Sequence, residues 1–181
     1  MDKPIRETIS LRELEDKLHF KEFIKDFIKY FSCRDKDVES FLKEKAFDFE
    51  KRNKSRTYLI FENFQLMAYF SLSLDAIVFD ESISKTTIKK IDGFSNKVKA
   101  VGLVLIGQLG KNEAIDNKIT GKEILDICLH YISIVKDTVG SRYVMLECQD
   151  IPKIIDFYKA NGFEFLKSDN TDKYQQMIRK L

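Results

Sequence analysis

The chain has 181 residues, of which 44% are aliphatic or aromatic, an ordinary content for a globular protein. This length predicts one domain, spanning residues 1–181, with a substantial core. Thirty-one basic and twenty-nine acidic residues nearly cancel, so the overall charge argues neither for nor against binding to nucleic acid. No apolar run approaches the length of a membrane span, and the charged N-terminus, MDKPIRETISLRELED, lacks the apolar core of a signal peptide.

Cysteine and histidine usage argues against a metal site. Cys33, Cys128 and Cys148 are odd in number, widely spaced and set in apolar surroundings. This pattern predicts reduced, mostly buried thiols in a cytoplasmic protein, with no disulfide frame and no metal cluster. His19 and His130 are isolated from each other, so we interpret both as structural residues without a metal.

The first third of the chain is predicted to be helical. Apolar residues recur at helical spacing from Leu11 to Tyr30, which favours one or two amphipathic helices. Asp35 is a candidate N-cap of a further helix that carries Val38 to Phe49. The polar side of that helix is basic, and we interpret it as a solvated face, with a nucleic-acid contact as the alternative.

A β-hairpin and a polar connection follow. The segments Arg56 to Phe61 and Gln65 to Leu74 are rich in aromatic and β-branched residues, which predicts two strands around Glu62 and Asn63. The stretch from Asp75 to Lys99 is polar and contains a predicted helix, Lys85 to Ile91. We interpret most of this stretch as a spacer.

The middle of the chain predicts a buried strand that leads into a helix. Val101 to Ile106 is almost entirely apolar, as in a strand covered on both faces. After a polar loop, apolar residues recur at helical spacing from Ile124 to Val135, behind Gly121. A helix N-terminus after a glycine-containing turn can hold an anion, because its first N–H groups have no helical partner. By itself, such a junction is more often a plain connection.

The last third predicts strand, helix and two further strands. Tyr143 to Cys148 is a strand, and a helix then begins near Pro152 and ends at Asn161–Gly162. Strands at Phe163–Phe165 and Tyr174–Leu181 follow, on either side of a polar turn at Lys167–Lys173. Together, these elements predict an α/β fold with a mixed central sheet and helices on both faces.

The order of these segments resembles the GNAT superfamily of acyl-CoA N-acyltransferases. The family pattern at this junction is Gln or Arg, two residues, Gly, one residue, then Gly or Ala. In this chain Lys118, Gly121 and Glu123 occupy the three positions, so only the first Gly matches. Lys keeps a cation without the Arg fork, whereas Glu brings a negative side chain close to the place of the pyrophosphate.

One branch of the family is similar over a longer stretch. The segments FSCRDKDVESFLKEKAF, SRTYLIF and AYFSLS look like the opening of a branch that includes bacterial toxins acetylating the amino acid on charged tRNA. In that branch, Gly-Asn commonly follows the Cys, whereas this chain has Arg34–Asp35. The resemblance runs from about Phe31 to the C-terminus.

The resemblance implies two groups of coenzyme-binding residues. At the end of the central strand, backbone N–H groups would pair with the pantetheine arm, and the Leu109 N–H would meet the thioester carbonyl. At the start of the following helix, backbone and side chains would hold the pyrophosphate. The two groups are Leu109, Gly110 and Lys111, and Lys118, Ile119, Thr120, Gly121, Lys122 and Glu123.

Tyr158 is the candidate catalytic acid. It lies in Phe-Tyr-x-x-x-Gly-Phe, where the family commonly has a Tyr facing the coenzyme sulfur, and its phenol would protonate the departing thiolate. The alternative is a Tyr whose ring packs in the core. Glu147 and Cys148 end the preceding strand and could order a water as general base, although a structural role is the preferred interpretation of both.

The resemblance implies an enzyme that transfers acetyl directly from acetyl-CoA to an amine, without a metal and without a covalent enzyme intermediate. The acceptor is open among a charged-tRNA amino group, a small amine and a protein amine. The toxin-like branch implies tRNA and an antitoxin protein as partners, and a homodimer is common in the family. The competing hypothesis is a GNAT-fold binding module that acts through a protein or RNA partner.

Overall fold

A computed structural model describes residues 6–14, 18–168 and 173–181, with only the backbone at positions 18 and 19. The predicted turn 167–173 and the N-terminal segment therefore lie partly outside the described residues, and so does the His19 side chain. The strands are β1 Arg6–Ser10, β2 Arg56–Glu62, β3 Gln65–Val78, β4 Ala100–Lys111, β5 Tyr143–Gln149, β6 Glu164–Ser168 and β7 Tyr174–Lys180. The α-helices are α1 Leu18–Tyr30, α2 Lys36–Ser40, α3 Ala46–Lys51, α4 Lys85–Asp92, α5 Gly121–Val139 and α6 Pro152–Ala160.

The strands form one mixed sheet in the order β1-β2-β3-β4-β5-β7-β6. β4 and β5 pair in parallel, whereas β1 with β2, β2 with β3, β5 with β7 and β6 with β7 pair antiparallel. A π-helical turn, Phe41–Lys45, joins α2 to α3. The mixed sheet with helices predicted from the sequence is thereby confirmed.

The chain forms two compact units. The first comprises the chain up to Ser73 together with Gly107–Cys128, and the second comprises Leu74–Ile106 together with Leu129–Leu181. β3, β4 and α5 each contribute residues to both units. The single domain expected for residues 1–181 stays a prediction.

The core of the first unit packs α1 and the α2–α3 segment against one face of β2 and β3. Ile24, Ile28 and Phe31 are buried in one cluster with Leu59 and Tyr69. Because side chains alternate along a strand, the next residues point to the opposite face. These residues, Ile60, Ala68 and Phe70, are buried too, so both faces are covered.

The core of the second unit packs α4 against β5 and β7. Ile88 and Ile91 lie in one buried cluster with Tyr143, Met145 and Ile178. Val144, Leu146 and Met177 alternate with the strand residues of that cluster and are also buried, so both faces are again covered.

Three elements differ from the sequence prediction. β1 was not predicted, because only one residue of Arg6–Ser10 is a large aliphatic and the strand depends on pairing with β2. The helix expected from Leu11 is a 3₁₀ turn, Leu11–Leu14, followed by α1 from Leu18. β3 runs to Val78 rather than Leu74, and three of its four added residues are exposed, whereas Ile77 is buried in the core of the second unit.

Candidate functional site

The surroundings of two glycines indicate a β-bulge near the end of β4, in the first unit. A Cβ on Gly107 would lie 3.2 Å from the Ser71 Oγ, and one on Gly110 would lie 2.8 Å from the Tyr69 Cε1. Ser71 and Tyr69 are two residues apart on β3, whereas the glycines that face them are three apart. This difference in spacing indicates one extra β4 residue between the glycines, in the stretch that contains Leu109.

The bulge lies beyond the parallel pairing of β4. The parallel register pairs Val104–Ile106 of β4 with Val144–Leu146 of β5. Among the described residues, it includes no later residue of either strand. β4 nevertheless continues to Lys111. The predicted pantetheine-binding residues therefore belong to the last part of β4, past its described pairing with β5.

The Cys33 thiol lies close to this end of β4. Burial raises the pKa of this thiol above its ordinary value, and the nearby backbone N–H groups of Asp35 and Lys111 oppose that rise. The Cys33 N–H donates to the Glu39 Oε2 at 3.0 Å.

Asn112 fixes the end of β4 through both backbone and side chain. Its Nδ2 donates to the Leu66 carbonyl at 2.8 Å, and its Oδ1 accepts from the N–H groups of Ser32 and Ala114 at 3.1 and 3.0 Å. Its own N–H donates to the Met67 carbonyl at 2.8 Å. With only 4% of its surface exposed, Asn112 holds three segments of the first unit together.

The start of α5 is closed by a capping box between Thr120 and Glu123. The Thr120 N–H and hydroxyl both donate to the Glu123 Oε2 at 2.8 Å, and the Glu123 N–H donates to the Thr120 Oγ1 at 3.2 Å. This reciprocal pairing satisfies two N–H groups of the helix start. It also explains why the helix begins at Gly121.

The Glu123 carboxylate is also held by Arg6. The Arg6 Nη1 donates to the Glu123 Oε1 at 2.7 Å, while the Arg6 Nε donates to the Glu62 Oε2 at 2.8 Å. The hydrogen bond from Arg6, followed by those from Thr120, lowers the pKa of Glu123 from 4.5 to about 2. The side chain is therefore ionised at neutral pH, and both of its oxygens have partners.

Two N–H groups at the start of α5 remain available. The Ile119 N–H donates to the Asn117 Oδ1 at 3.0 Å, and Ile119 itself is buried. For the N–H groups of Gly121 and Lys122, the described part of the chain provides no acceptor. The Lys122 ammonium pairs with Asp126, whereas exposed Lys118 has no ion-pair partner among the described residues. These groups fit a phosphate, because two unpaired N–H groups, the helix dipole and a free cation all favour an anion.

Tyr158 belongs to the second unit, on α6. Its half-buried ring contacts Phe157 and Phe163, with centroid distances of 5.1 and 5.6 Å. Its carbonyl accepts from the Phe163 N–H at 3.1 Å where the helix ends. The ring is therefore fixed by packing.

The candidate bases differ in environment. Cys148 is buried against Met177, with an Sγ–Sδ distance of 3.8 Å, and burial raises the pKa of its thiol to about 11. This thiol is a poor base at neutral pH. Glu147 is exposed, and its Oε1 accepts from the Gln176 Nε2 at 2.8 Å, so it remains the candidate of the two.

The remaining sequence predictions about thiols, metals and spans can be compared directly. All three cysteines are buried free thiols, as predicted. His130, interpreted as a structural residue, is exposed on α5, where its ring contacts Tyr131. Within residues 6–14, 18–168 and 173–181, no group of three potential ligands could hold a metal ion. None of the helices in those ranges is both long and apolar enough to cross a bilayer.

Solved structures provide the comparison that decides the fold. A bacterial toxin matches with a TM-score of 0.73 and 14% identity, over 98% of this chain and 92% of that one. AtaT complexed with acetyl-methionyl-tRNAfMet matches with a TM-score of 0.64 and 20% identity, over 82% and 85%. A Tyr-to-Phe mutant of AtaT bound to acetyl-CoA and the C-terminus of the antitoxin AtaR matches with a TM-score of 0.63 and 15% identity, over 97% and 92%. These neighbours are GNAT-fold proteins.

The chain has the GNAT fold. No protein family and no curated protein sequence matches it, so the GNAT fold is recognised from structure at low identity.

Sequence analysis named Thr120 and Glu123 but missed the pairing between them, and it missed Arg6. The spacing Thr120-x-x-Glu123 is a capping-box signature, and it could have shown that Glu123 turns back toward the helix start. Arg6 gives no comparable signal, because 117 residues separate it from Glu123.

Proposed function

We propose that this protein transfers an acetyl group from acetyl-CoA to a primary amine. The observation that carries the proposal is the start of α5, where Gly121 and Lys122 keep unpaired N–H groups while Glu123 is bound by Thr120 and Arg6. An acidic residue in this turn would otherwise repel a pyrophosphate. Because both oxygens of its carboxylate are engaged, Glu123 is compatible with coenzyme binding, although the family pattern has Gly or Ala at this position.

The proposed roles follow from the chemistry of direct transfer. Bound acetyl-CoA supplies a thioester carbonyl carbon for attack by the amine nitrogen, and the carbon–sulfur bond breaks. The Leu109 N–H, beside the bulge, polarises the carbonyl oxygen. The Tyr158 hydroxyl gives its proton to the thiolate and is restored by solvent, while the amine proton leaves through a water near Glu147. The pyrophosphate is assigned to Lys118, Gly121 and Lys122.

The acceptor that we propose to test first is the amino group of a charged tRNA. AtaT, a structural neighbour, has been solved with an acetylated aminoacyl-tRNA and with an antitoxin. A small amine or a protein amine is the alternative. On the same grounds, we propose an antitoxin partner. From the resemblance to the GNAT superfamily alone, we propose a cytoplasmic protein and a homodimeric state.

Calorimetry with acetyl-CoA separates this function from a GNAT-fold binding module. We expect saturable binding in the micromolar range, weakened at least tenfold by Gly121→Pro, which removes one N–H at a helix position that tolerates proline. The absence of binding at millimolar acetyl-CoA would favour the binding module. Transfer of radiolabelled acetyl to charged tRNA, small amines and peptides would then identify the acceptor.

A Tyr158→Phe variant tests the catalytic acid. We expect kcat to fall by about a hundredfold, with acetyl-CoA affinity unchanged, because general acid catalysis contributes on that order. Tyr131→Phe, which removes a hydroxyl from α5, is the matched control and should keep full activity. An unchanged kcat in Tyr158→Phe would remove Tyr158 from the mechanism.

A further inference from the structure

α1 carries a second apolar stripe beside the one that packs in the core. Phe20, Phe23, Phe27 and Tyr30 follow each other at spacings of three, four and three residues. This heptad-like spacing is the one at which a helix presents a seam to another helix. Phe20, Phe23 and Tyr30 are 43%, 50% and 70% exposed. We call these four residues the aromatic ridge.

The ridge is ordered by contacts between its own rings. The Phe20 and Phe23 centroids lie 6.1 Å apart, and Phe23 meets Phe27 edge to face at 4.9 Å. Phe27 in turn meets Phe61 of β2 edge to face at 5.4 Å. The ridge is therefore a pre-organised surface, which lowers the entropy cost of docking.

A cavity lies on each side of the ridge, within the first unit. One, of about 520 Å³, is bounded by α1 together with Leu66, Ala114 and Ile115. The other, of about 340 Å³, is bounded by α1 together with Ile9 and Phe64, among others. Both share Phe23 and Phe27, so a partner that covers the ridge could place side chains into both cavities.

The β2–β3 turn adds an exposed ring beside the smaller cavity. Phe64 is 87% exposed, and it and Asn63 have φ angles of +60° and +49°. Turns with two residues in this region favour glycine at the second position, so a phenylalanine there is unfavourable for the backbone. The backbone of the hairpin therefore gains nothing from a phenylalanine at this position, and the exposed ring is available to a partner.

The charges that line the two cavities are negative. Glu7 lines the smaller cavity and Asp26 the larger, and neither has an ion-pair partner among the described residues. Two lysines of α1 are engaged away from the ridge, since Lys25 pairs with Glu22 and the Lys21 ammonium lies over the Phe47 ring. The Lys29 ammonium lies over the Tyr30 ring and leaves one positive charge at that end of the ridge. The surface therefore complements a partner with basic residues beside an apolar face.

We propose that the aromatic ridge docks an amphipathic, basic helix of a partner protein. Apolar residues of that helix fill the two cavities, and its Lys or Arg side chains pair with Glu7 and Asp26. This interaction does not depend on acetyl transfer, so it stands or falls separately from the proposed function.

The probe is a fluorescein-labelled synthetic helix of three heptads, with Leu at the a and d positions and Lys elsewhere, followed by fluorescence anisotropy. A second peptide carries Glu in place of every Lys. We expect the basic peptide to bind at least tenfold more tightly than the acidic one. Phe23→Asp should weaken its binding at least tenfold, and Glu7→Lys combined with Asp26→Lys should reverse the preference. Ile134→Asp, at an exposed apolar position of α5, is the control and should bind like the unmodified chain.

Three results would overturn the proposal. The first is equal affinity for the two peptides, or binding that Phe23→Asp leaves unchanged. The second is a dimer in sedimentation velocity that Phe23→Asp dissociates, since a second copy would then occupy the ridge. The third is Phe23-dependent pelleting with phosphatidylglycerol vesicles in the absence of peptide binding. If Phe23→Asp does not fold by circular dichroism, Phe23→Ser takes its place in each comparison.

Discussion

Arg6 and Glu123 form an ion pair between β1 and the first turn of α5, with 2.7 Å between the Arg6 Nη1 and the Glu123 Oε1. The second Glu123 oxygen accepts from Thr120. The pair therefore couples the N-terminal strand to the helix start that we propose as the pyrophosphate site. It also determines where the one acidic side chain of that turn points.

An Arg6→Ala variant should weaken acetyl-CoA binding by about three- to tenfold, which corresponds to about 0.6–1.4 kcal/mol. Without Arg6, the Glu123 carboxylate can approach the phosphates and repel them. Isothermal titration calorimetry measures the effect. The double variant Arg6→Ala/Glu123→Gln should bind within about twofold of the unmodified chain, because it carries no charge to repel. A double variant as weak as Arg6→Ala would contradict this explanation.

The stabilising contribution of Glu123 should disappear at acidic pH. Its pKa is lowered in the folded protein from 4.5 to about 2, chiefly by Arg6 and then by Thr120. A lowered pKa stabilises the fold fully above the ordinary value, and this stabilisation is lost as the pH falls from 4.5 toward 2. Urea unfolding should therefore show a gap between the unmodified chain and Glu123→Gln that is larger at pH 7 than at pH 3. A gap of equal size at both values would contradict the assignment.

Sequence analysis located most of the helices and strands, because hydrophobic periodicity and helix-end residues depend only on neighbours along the chain. The β2–β3 hairpin, α4, α5 and α6 all follow from periodicity and from residues such as Pro152 and Gly162 at helix ends. β1 could not be found in this way, because its short polar segment is held by the register that pairs Arg6 with Glu62.

The candidate site was predictable only where its contacts are close in sequence. The junction before α5 was found, and its capping box was readable from Thr120 and Glu123. The bulge at the end of β4 depends on Gly107 and Gly110 facing β3 residues more than thirty positions earlier. Such long-range contacts leave no periodic signal in a single sequence.

A Gly110→Ala variant should destabilise the protein by about 1–3 kcal/mol, as overpacking of a core does. Its Cβ would lie 2.7 Å from the Val38 Cγ1 and 2.8 Å from the Tyr69 Cε1, both closer than van der Waals contact. The free energy of unfolding from urea titration measures the loss.

Gly102→Ala on the same strand is the matched control for Gly110→Ala. Its Cβ would have no heavy atom nearer than 4.0 Å, so its stability should remain within about 0.5 kcal/mol of the unmodified chain. Val38→Ala in the Gly110→Ala background should recover part of the loss by removing one of the two clashes. Equal stability of the two alanine variants would show that β4 can shift at this point.

An Asn112→Ala variant should cost about 2–3 kcal/mol of unfolding free energy, because it leaves buried hydrogen-bonding groups without partners. Asn112 satisfies the N–H groups of Ser32 and Ala114 and the Leu66 carbonyl. Asn161→Ala is the control. The Asn161 Nδ2 donates to the Phe157 carbonyl at a half-buried helix end, and loss of this hydrogen bond should cost about 1 kcal/mol. Urea unfolding of both variants separates the outcomes. Equal losses would mean that the end of β4 is held by its backbone alone and that the Asn112 side chain does not anchor it.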